Sequence, residues 1–232
     1  MDIKQKALES GDMTIFYHGS PKKLESITSV TNGDTGKRVY HVPSDAFLPS
    51  ITTVLSILSR DGIAKWRQNV GEEEANRVSR YASGRGTSVH LMCEKYLQND
   101  THDGMPDAKS MFNTIKPLLN NINKIQYQEQ GLYSIKLGVA GSVDCIAEYE
   151  GVLSVIDFKT ASKPKKEEYI ENYFLQTTAY ALMYEELIGT PINQIVILIA
   201  VDGQEPQVFK KNPADYINRL VEVIDQYKRE NN

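Results

Sequence analysis

Residues 142–159 read SVDCIAEYEGVLSVIDFK, and this stretch decides the fold. Glu150-Gly151 is a turn signal between two runs of strand-forming residues. The runs at 142–149 and 152–159 are therefore expected to form a hairpin. A tight turn pairs Tyr149 with Val152, and counting outward sets Asp144 opposite Asp157. Val152, Leu153, Val155, Ile156 and Phe158 make the second strand apolar almost throughout, apart from Asp157 and Lys159. Charges carried into such a strand need partners. Lys159 lies two residues beyond Asp157, on the same face. Opposed carboxylates repel each other, and a divalent cation between them removes the repulsion. A structural Asp–Lys ion pair is the alternative explanation.

Outward from the hairpin, the period of the apolar residues changes. Ala108, Met111, Phe112, Ile115, Leu118, Leu119 and Ile122 recur as one helical face, and a strand is expected near 125–136. Downstream, the pattern predicts a long helix over 167–188 and a buried strand over the unbroken apolar run 195–201. A further strand is expected at 206–210, and Asn212-Pro213 opens a final helix. Upstream, Asn32-Gly33-Asp34-Thr35-Gly36 reads as a hairpin loop between 27–30 and 38–42. Ser50 is placed to cap a helix carrying Ile51, Val54, Leu55 and Leu58, and Ala64-Lys65-Trp66-Arg67 falls in the next one. Residues 72–96 read as helical, with a break expected at Gly84-Arg85-Gly86. The expected architecture is α/β, with a central mixed β-sheet flanked by helices. Its core is expected to span 80–232, with residues 1–79 forming a mainly helical N-terminal extension.

Composition sets bounds. With 232 residues, 41% hydrophobic and 24% charged, the chain can bury a core without disulfides. A formal net charge of -4 gives no global attraction to phosphate, so any nucleic-acid contact must rest on local basic residues. Cys93 and Cys145, the only cysteines, read as reduced core thiols, which leaves no framework for a four-cysteine metal or iron–sulfur centre. No run is long and apolar enough to span a membrane, and Met1-Asp2-Ile3-Lys4-Gln5-Lys6 lacks the apolar segment of a signal peptide. An intracellular, reducing location is expected.

The candidate site gathers from several segments. Asp144 and Asp157 supply oxygen ligands that favour Mg2+ or Mn2+ over zinc. Lys159 can orient an attacking water or stabilise charge building on a phosphate. His90 and Glu94 are four apart on one helical face, and both can ligate a metal. Gly86 ahead of them allows close backbone approach. Gln176 and Tyr180 repeat that spacing within a stripe of Tyr169, Tyr173 and Tyr184. The stripe is either half-buried packing or a wall on which bases stack beside Gln176. Lys163, Lys165 and Lys166, and Arg77, Arg80 and Arg85, flank these segments and can grip phosphates, or simply form solvated faces.

Four pieces in this order resemble the RecB-like branch of the PD-(D/E)XK nuclease superfamily. They are Gly86-Thr87-Ser88-Val89-His90-Leu91-Met92-Cys93-Glu94, Gly141-Ser142-Val143-Asp144, Ile156-Asp157-Phe158-Lys159-Thr160 and Gln176-Thr177-Thr178-Ala179-Tyr180. The resemblance covers about residues 80–201. It implies a restriction-endonuclease-like core and metal-dependent hydrolysis of DNA phosphodiesters. One or two Mg2+ or Mn2+ ions would lie near His90, Glu94, Asp144, Asp157 and the Phe158 carbonyl, two of them about 4 Å apart. Lys159 would be catalytic, with Gln176 and Tyr180 steadying the substrate. The proline of the superfamily's name is Val143 here, and the cysteines that hold an iron–sulfur cluster in some relatives are missing. Upstream, Leu48-Pro49-Ser50-Ile51-Thr52-Thr53-Val54-Leu55 is similar to a segment of the mitochondrial genome maintenance exonucleases and their phage-encoded relatives. That likeness implies single-stranded DNA or DNA ends as substrate, in DNA processing, recombination or repair, and allows for a phage-encoded enzyme acting in a host cytoplasm. Ser50, Thr52 and Thr53 would then donate to phosphate at a helix N-terminus, or serve as an ordinary cap. A non-hydrolytic DNA-end binding module and an endonuclease are the alternative functions.

Overall fold

A computed structural model describes residues 14–33 and 36–231. The readings of Met1 to Lys6 and of Asp34-Thr35 lie outside the described residues. The strands β1 (Thr28–Thr31), β2 (Arg38–His41) and β3 (Phe47–Pro49) form a small antiparallel sheet. Helix α1 (Ile51–Leu55) follows, with a 3-10 turn at Ser56–Leu58, then α2 (Arg60–Val70), α3 (Glu72–Leu97) and α4 (Pro106–Leu119). The main sheet takes β4 (Ile122–Ser134), β5 (Val139–Tyr149), β6 (Val152–Ala161), β7 (Gln194–Val201) and β8 (Gln207–Lys211), in that spatial order. Helix α5 (Glu171–Ile188) makes the crossover between β6 and β7, and α6 (Ile217–Asn231) closes the described chain. Only β6 and β7 pair in parallel, as that crossover requires, so the sheet is mixed.

The sheet is packed on both faces, which is why β7 is buried along nearly its whole length. Its Ile195, Ile197 and Ile199 lie in one core cluster with α1, α5 and α6. Val196, Leu198 and Ala200 lie in the other, with α3 and α4. The small sheet is fastened to the large one near the start of β5. Tyr40 and Val42 pack on Ala140, and Ser50 bridges to Ala140. Among the described residues no helix is long and apolar enough to cross a membrane.

Four local expectations are corrected. Helix α3 runs unbroken through Gly84-Arg85-Gly86. Glycine costs a helix about 1 kcal/mol, and the packing of α3 against α4 and β6 offsets it. Ile122 leaves the α4 face and opens β4, paired with Tyr149. Tyr169 sits in a separate 3-10 turn, Glu167–Tyr169, ahead of α5. Ser50 holds the N-cap position of α1 without a side-chain cap; its hydroxyl bonds to Thr52 Oγ1 at 2.8 Å. Asn212 does cap as expected, its Oδ1 accepting from the Ala214 N–H at 3.0 Å.

Candidate active site

The hairpin has the expected register, with Tyr149 opposite Val152 and Cys145 opposite Ile156. The main-chain ladder stops there, one pair short of Asp144 and Asp157. Beyond that point β5 and β6 part, and a side chain takes over the bonding: the Phe158 N–H donates to Asp144 Oδ2 at 2.8 Å. The alternation of β5 is interrupted at the same place. Val143 and Ile146 both pack on the α5 side, while Cys145 packs on the α4 side. The parting of the strands is what opens this end of the sheet to a ligand.

Asp157 is 1% exposed. Its Oδ1 accepts from Gln176 Nε2 at 3.0 Å. Its Oδ2 has the Lys159 ammonium 2.6 Å away, yet no donor lies in hydrogen-bonding geometry with it. Lys159 also lies over the Tyr173 ring, 5.2 Å from its centroid. Burial pushes the Asp157 carboxyl up, Lys159 pulls it down and Asp144 pushes it up again, leaving it above the usual carboxylate range. Burial opposes the charge on Lys159, but the Asp157 and Asp144 carboxylates outweigh that and hold its ammonium above the ordinary lysine value. Across the opening, His90 Nδ1 of α3 stands 3.5 Å from Asp144 Oδ2.

His90 and Asp144 line a cleft of about 670 Å3 together with Glu94, Gly86 and Thr87 of α3. Two further residues of that cleft, Glu129 and Arg38, were not anticipated. Glu129 sits in β4 between Gln128, paired with Cys145, and Gln130, paired with Val143, which sets it opposite Asp144. Its φ of 48° is left-handed, a conformation costly for a residue with a Cβ. Partial burial, then the charges of Asp144, Glu94 and Asp157, push its carboxyl up to about 7. Register opposite Asp144 was the available signal for Glu129; the backbone kink has none in the sequence.

Among the described residues, no three His, Cys, Asp or Glu side chains already stand close enough to clasp an ion. Asp144 is engaged with the Phe158 N–H, Asp157 with Lys159 and Gln176, and Glu94 Oε1 accepts from Gln98 Nε2 at 3.0 Å. Each of Asp144 and Glu94 keeps acceptor capacity beyond the bond described, since hydrogen-bond partners among the described residues occupy only Asp144 Oδ2 and Glu94 Oε1. The donor set still fits a hard divalent cation. It is dominated by carboxylate oxygens that raise one another's proton affinity.

A family model described as the PD-(D/E)XK nuclease superfamily matches residues 118–230. Mitochondrial genome maintenance exonuclease 1 of Mus musculus is 31% identical, over 97% of this chain and 74% of the relative. The chain belongs to the PD-(D/E)XK nuclease superfamily. The relatives of the same name in Xenopus tropicalis and Homo sapiens are each 26% identical, over 78% and 79% of this chain. The chain spans 58% of the Xenopus relative's length and 60% of the human one.

Against that superfamily's pattern, the structure brings Asp144, Asp157, Lys159, His90 and Gln176 together, with Glu94 in the same cleft. Tyr180 lies behind them. It is 2% exposed, its ring is against Gly141, and its hydroxyl interacts with Gln176. Burial first, then Asp144 and Asp157, hold that phenol well above its usual range. Stacking of bases on Tyr180 or Tyr184 is closed off, because both rings are buried in the core. Half of the six predicted basic residues are engaged elsewhere. Arg77 pairs with Glu74 at 2.7 Å, Arg85 with Asp202 at 2.6 Å, and Lys166 with Glu168 at 3.8 Å. Arg80 and Lys163 are exposed, as is Lys165, whose N–H donates to Gln207. Ser50 is buried, Thr52 exposed and Thr53 half-buried. Thr52 lines a slot of about 160 Å3 with Ser56, Asn172 and Gln176. Ser50 is thus withdrawn from any ligand, and Arg85 is committed to Asp202.

Proposed function

We propose that this chain is a divalent-metal-dependent DNA exonuclease, hydrolysing phosphodiester bonds on single strands or free ends, in DNA processing, recombination or repair. The observation that carries this reading is the convergence of Asp144, Asp157, Lys159, His90 and Gln176, from two strands and two helices, where β5 and β6 part. A buried carboxylate next to a second acid and an ammonium is costly to fold, and its use is to hold a cation against a phosphate. The name exonuclease borne by the relatives supports attack from ends.

Asp144, Asp157, Glu94, His90 and the Phe158 carbonyl would hold one or two Mg2+ or Mn2+ ions. When bound, such an ion supplies charge neutralisation at the phosphate and a water of lowered pKa. Lys159, pinned beside Asp157, orients the attacking water and stabilises charge as it grows on the phosphate. Gln176 occupies Asp157 Oδ1 and so fixes the carboxylate's orientation. Tyr180 acts through Gln176 and does not touch substrate. Exposed Thr52, Arg80, Lys163 and Lys165 remain open for the phosphates of a longer strand. A reducing location suits the two buried, unpaired cysteines.

The test is a digestion series on 5′- and 3′-labelled single and double strands in Mg2+, Mn2+ or EDTA, with circular single-stranded DNA alongside. Linear strands should shorten in either ion and survive in EDTA, while the circle stays intact. Cutting of the circle would make the chain an endonuclease. Tight binding without cleavage in any ion would make it an end-binding module.

A further inference from the structure

The acidic cleft has one basic wall. Arg38, on β2 of the small sheet, lines it opposite the α3 residues and shares it with Glu94, Glu129 and Asp144. Among the described residues it forms no ion pair with any of these acids. Its one polar side-chain contact is a long 3.4 Å donation from Nη2 to Thr52 Oγ1. The guanidinium is exposed, in contrast to Arg77, Arg85 and Lys166, which are paired with acids.

Its position is built. The Arg38 carbonyl accepts from the Ser50 N–H at 3.2 Å, and β2 is seated on Ala140 through Tyr40 and Val42. Ala140 is four residues ahead of Asp144 in the same strand, so the small sheet and the carboxylate are held to one frame. Thr52, which Arg38 touches, faces the slot on the Gln176 side. Arg38 and Thr52 therefore stand between the two openings that flank the reacting groups. A planar fork of five N–H donors, engaged among the described residues only by the long contact to Thr52 Oγ1, suits a phosphate oxygen pair.

We propose that Arg38 binds a backbone phosphate of the nucleic-acid strand lying in the cleft, and that the N-terminal sheet serves to deliver it. This rests on the nuclease reading above. Arg38 supplies, in the cleft itself, the positive charge that a chain of net charge -4 lacks globally.

The experiment compares wild type, Arg38→Lys and Arg38→Ala. Binding of a fluorescein-labelled oligothymidylate is followed by anisotropy in EDTA across a salt series, and cleavage of the same strand is measured in Mg2+. Arg38→Ala should weaken binding about 10- to 100-fold, the loss of a charge-assisted contact. Its slope of log affinity against log salt should be shallower by about 0.7, one phosphate contact on a single strand. Arg38→Lys should keep the slope and recover only part of the affinity, because it keeps the charge and loses the fork. Melting curves check the fold, and if Arg38→Ala melts early, Arg38→Lys decides by its affinity alone. A wild type that cuts the strand while the variants match it in affinity and slope overturns the Arg38 assignment and leaves the nuclease reading standing. A wild type that neither binds nor cuts overturns both.

Discussion

Replacing Gly141 with alanine tests how the core supports the active site. A Cβ at this position would lie 2.8 Å from Tyr180 Cε1 and from the Tyr180 hydroxyl oxygen, and 3.2 Å from Ile51 Cγ2. Carbon atoms are most comfortable at about 3.5–4.0 Å, so the new methyl intrudes by roughly 1 Å. Tyr180 cannot swing into solvent, because its ring is buried. Overpacking of this kind costs about 1–3 kcal/mol. For a domain of this size each kcal/mol is worth about 2–4 °C in Tm, so Gly141→Ala should melt about 4–8 °C early, taking the middle of that range. The same displacement presses on Gln176 and through it on Asp157, so turnover should fall beyond what the lost stability explains at low temperature. Urea melts of Gly141→Ala, Tyr180→Leu and the double variant close a cycle. The smaller side chain makes room for the methyl, so the double variant should be more stable than the sum of the single costs by over about 0.5 kcal/mol. A Gly141→Ala protein within about 0.5 kcal/mol of wild type, or a cycle with no coupling, would refute the packing argument.

Further outcomes follow from the same geometry. Lys159→Ala should fold, since the residue is partly exposed at the cleft, and should lose cleavage; normal turnover of labelled strands by this variant contradicts its role. Gln176→Leu should lower kcat more than KM, because it frees Asp157 Oδ1 without touching a strand; an equal loss in binding measured by anisotropy would place Gln176 on the substrate instead. The Glu129 carboxyl, raised to about 7, holds its proton more firmly folded than unfolded. Metal-free protein should therefore lose stability as pH climbs from the ordinary glutamate range through about 7, and Mn2+ should restore it at high pH. In EDTA, Glu129→Gln should flatten that part of the Tm–pH curve, and an unchanged curve would show that Glu129 is not the titrating group.

Much of the site was legible because it depends on short-range counting. The turn at Glu150-Gly151 set the register as far as Cys145 and Ile156, which leaves Asp144 and Asp157 next in line where the strands part, and the spacing of two put Lys159 beside Asp157. The all-apolar run of β7 announced a strand covered on both sides. Helical spacing of four placed His90 with Glu94, and the same spacing joined Gln176 to Tyr180. It did not say that Tyr180 turns inward against Gly141 while Gln176 turns toward Asp157. The break expected at Gly84-Arg85-Gly86 failed because a local cost was overridden by packing against α4 and β6.

By itself, then, the order of residues determined the strands of the main sheet, the hairpin pairing of β5 with β6 and the identity of the acids and the amine, because each follows from periodicity and turn chemistry within a few residues. Tertiary structure alone decided which charges are spent and which are free. Arg85 meets Asp202 across 117 residues and Arg38 meets a cleft built from α3, β4 and β5, and Glu129 reaches Asp144 through a left-handed kink in β4. No local pattern encodes such meetings, since they arise only when separate elements are packed on a common sheet.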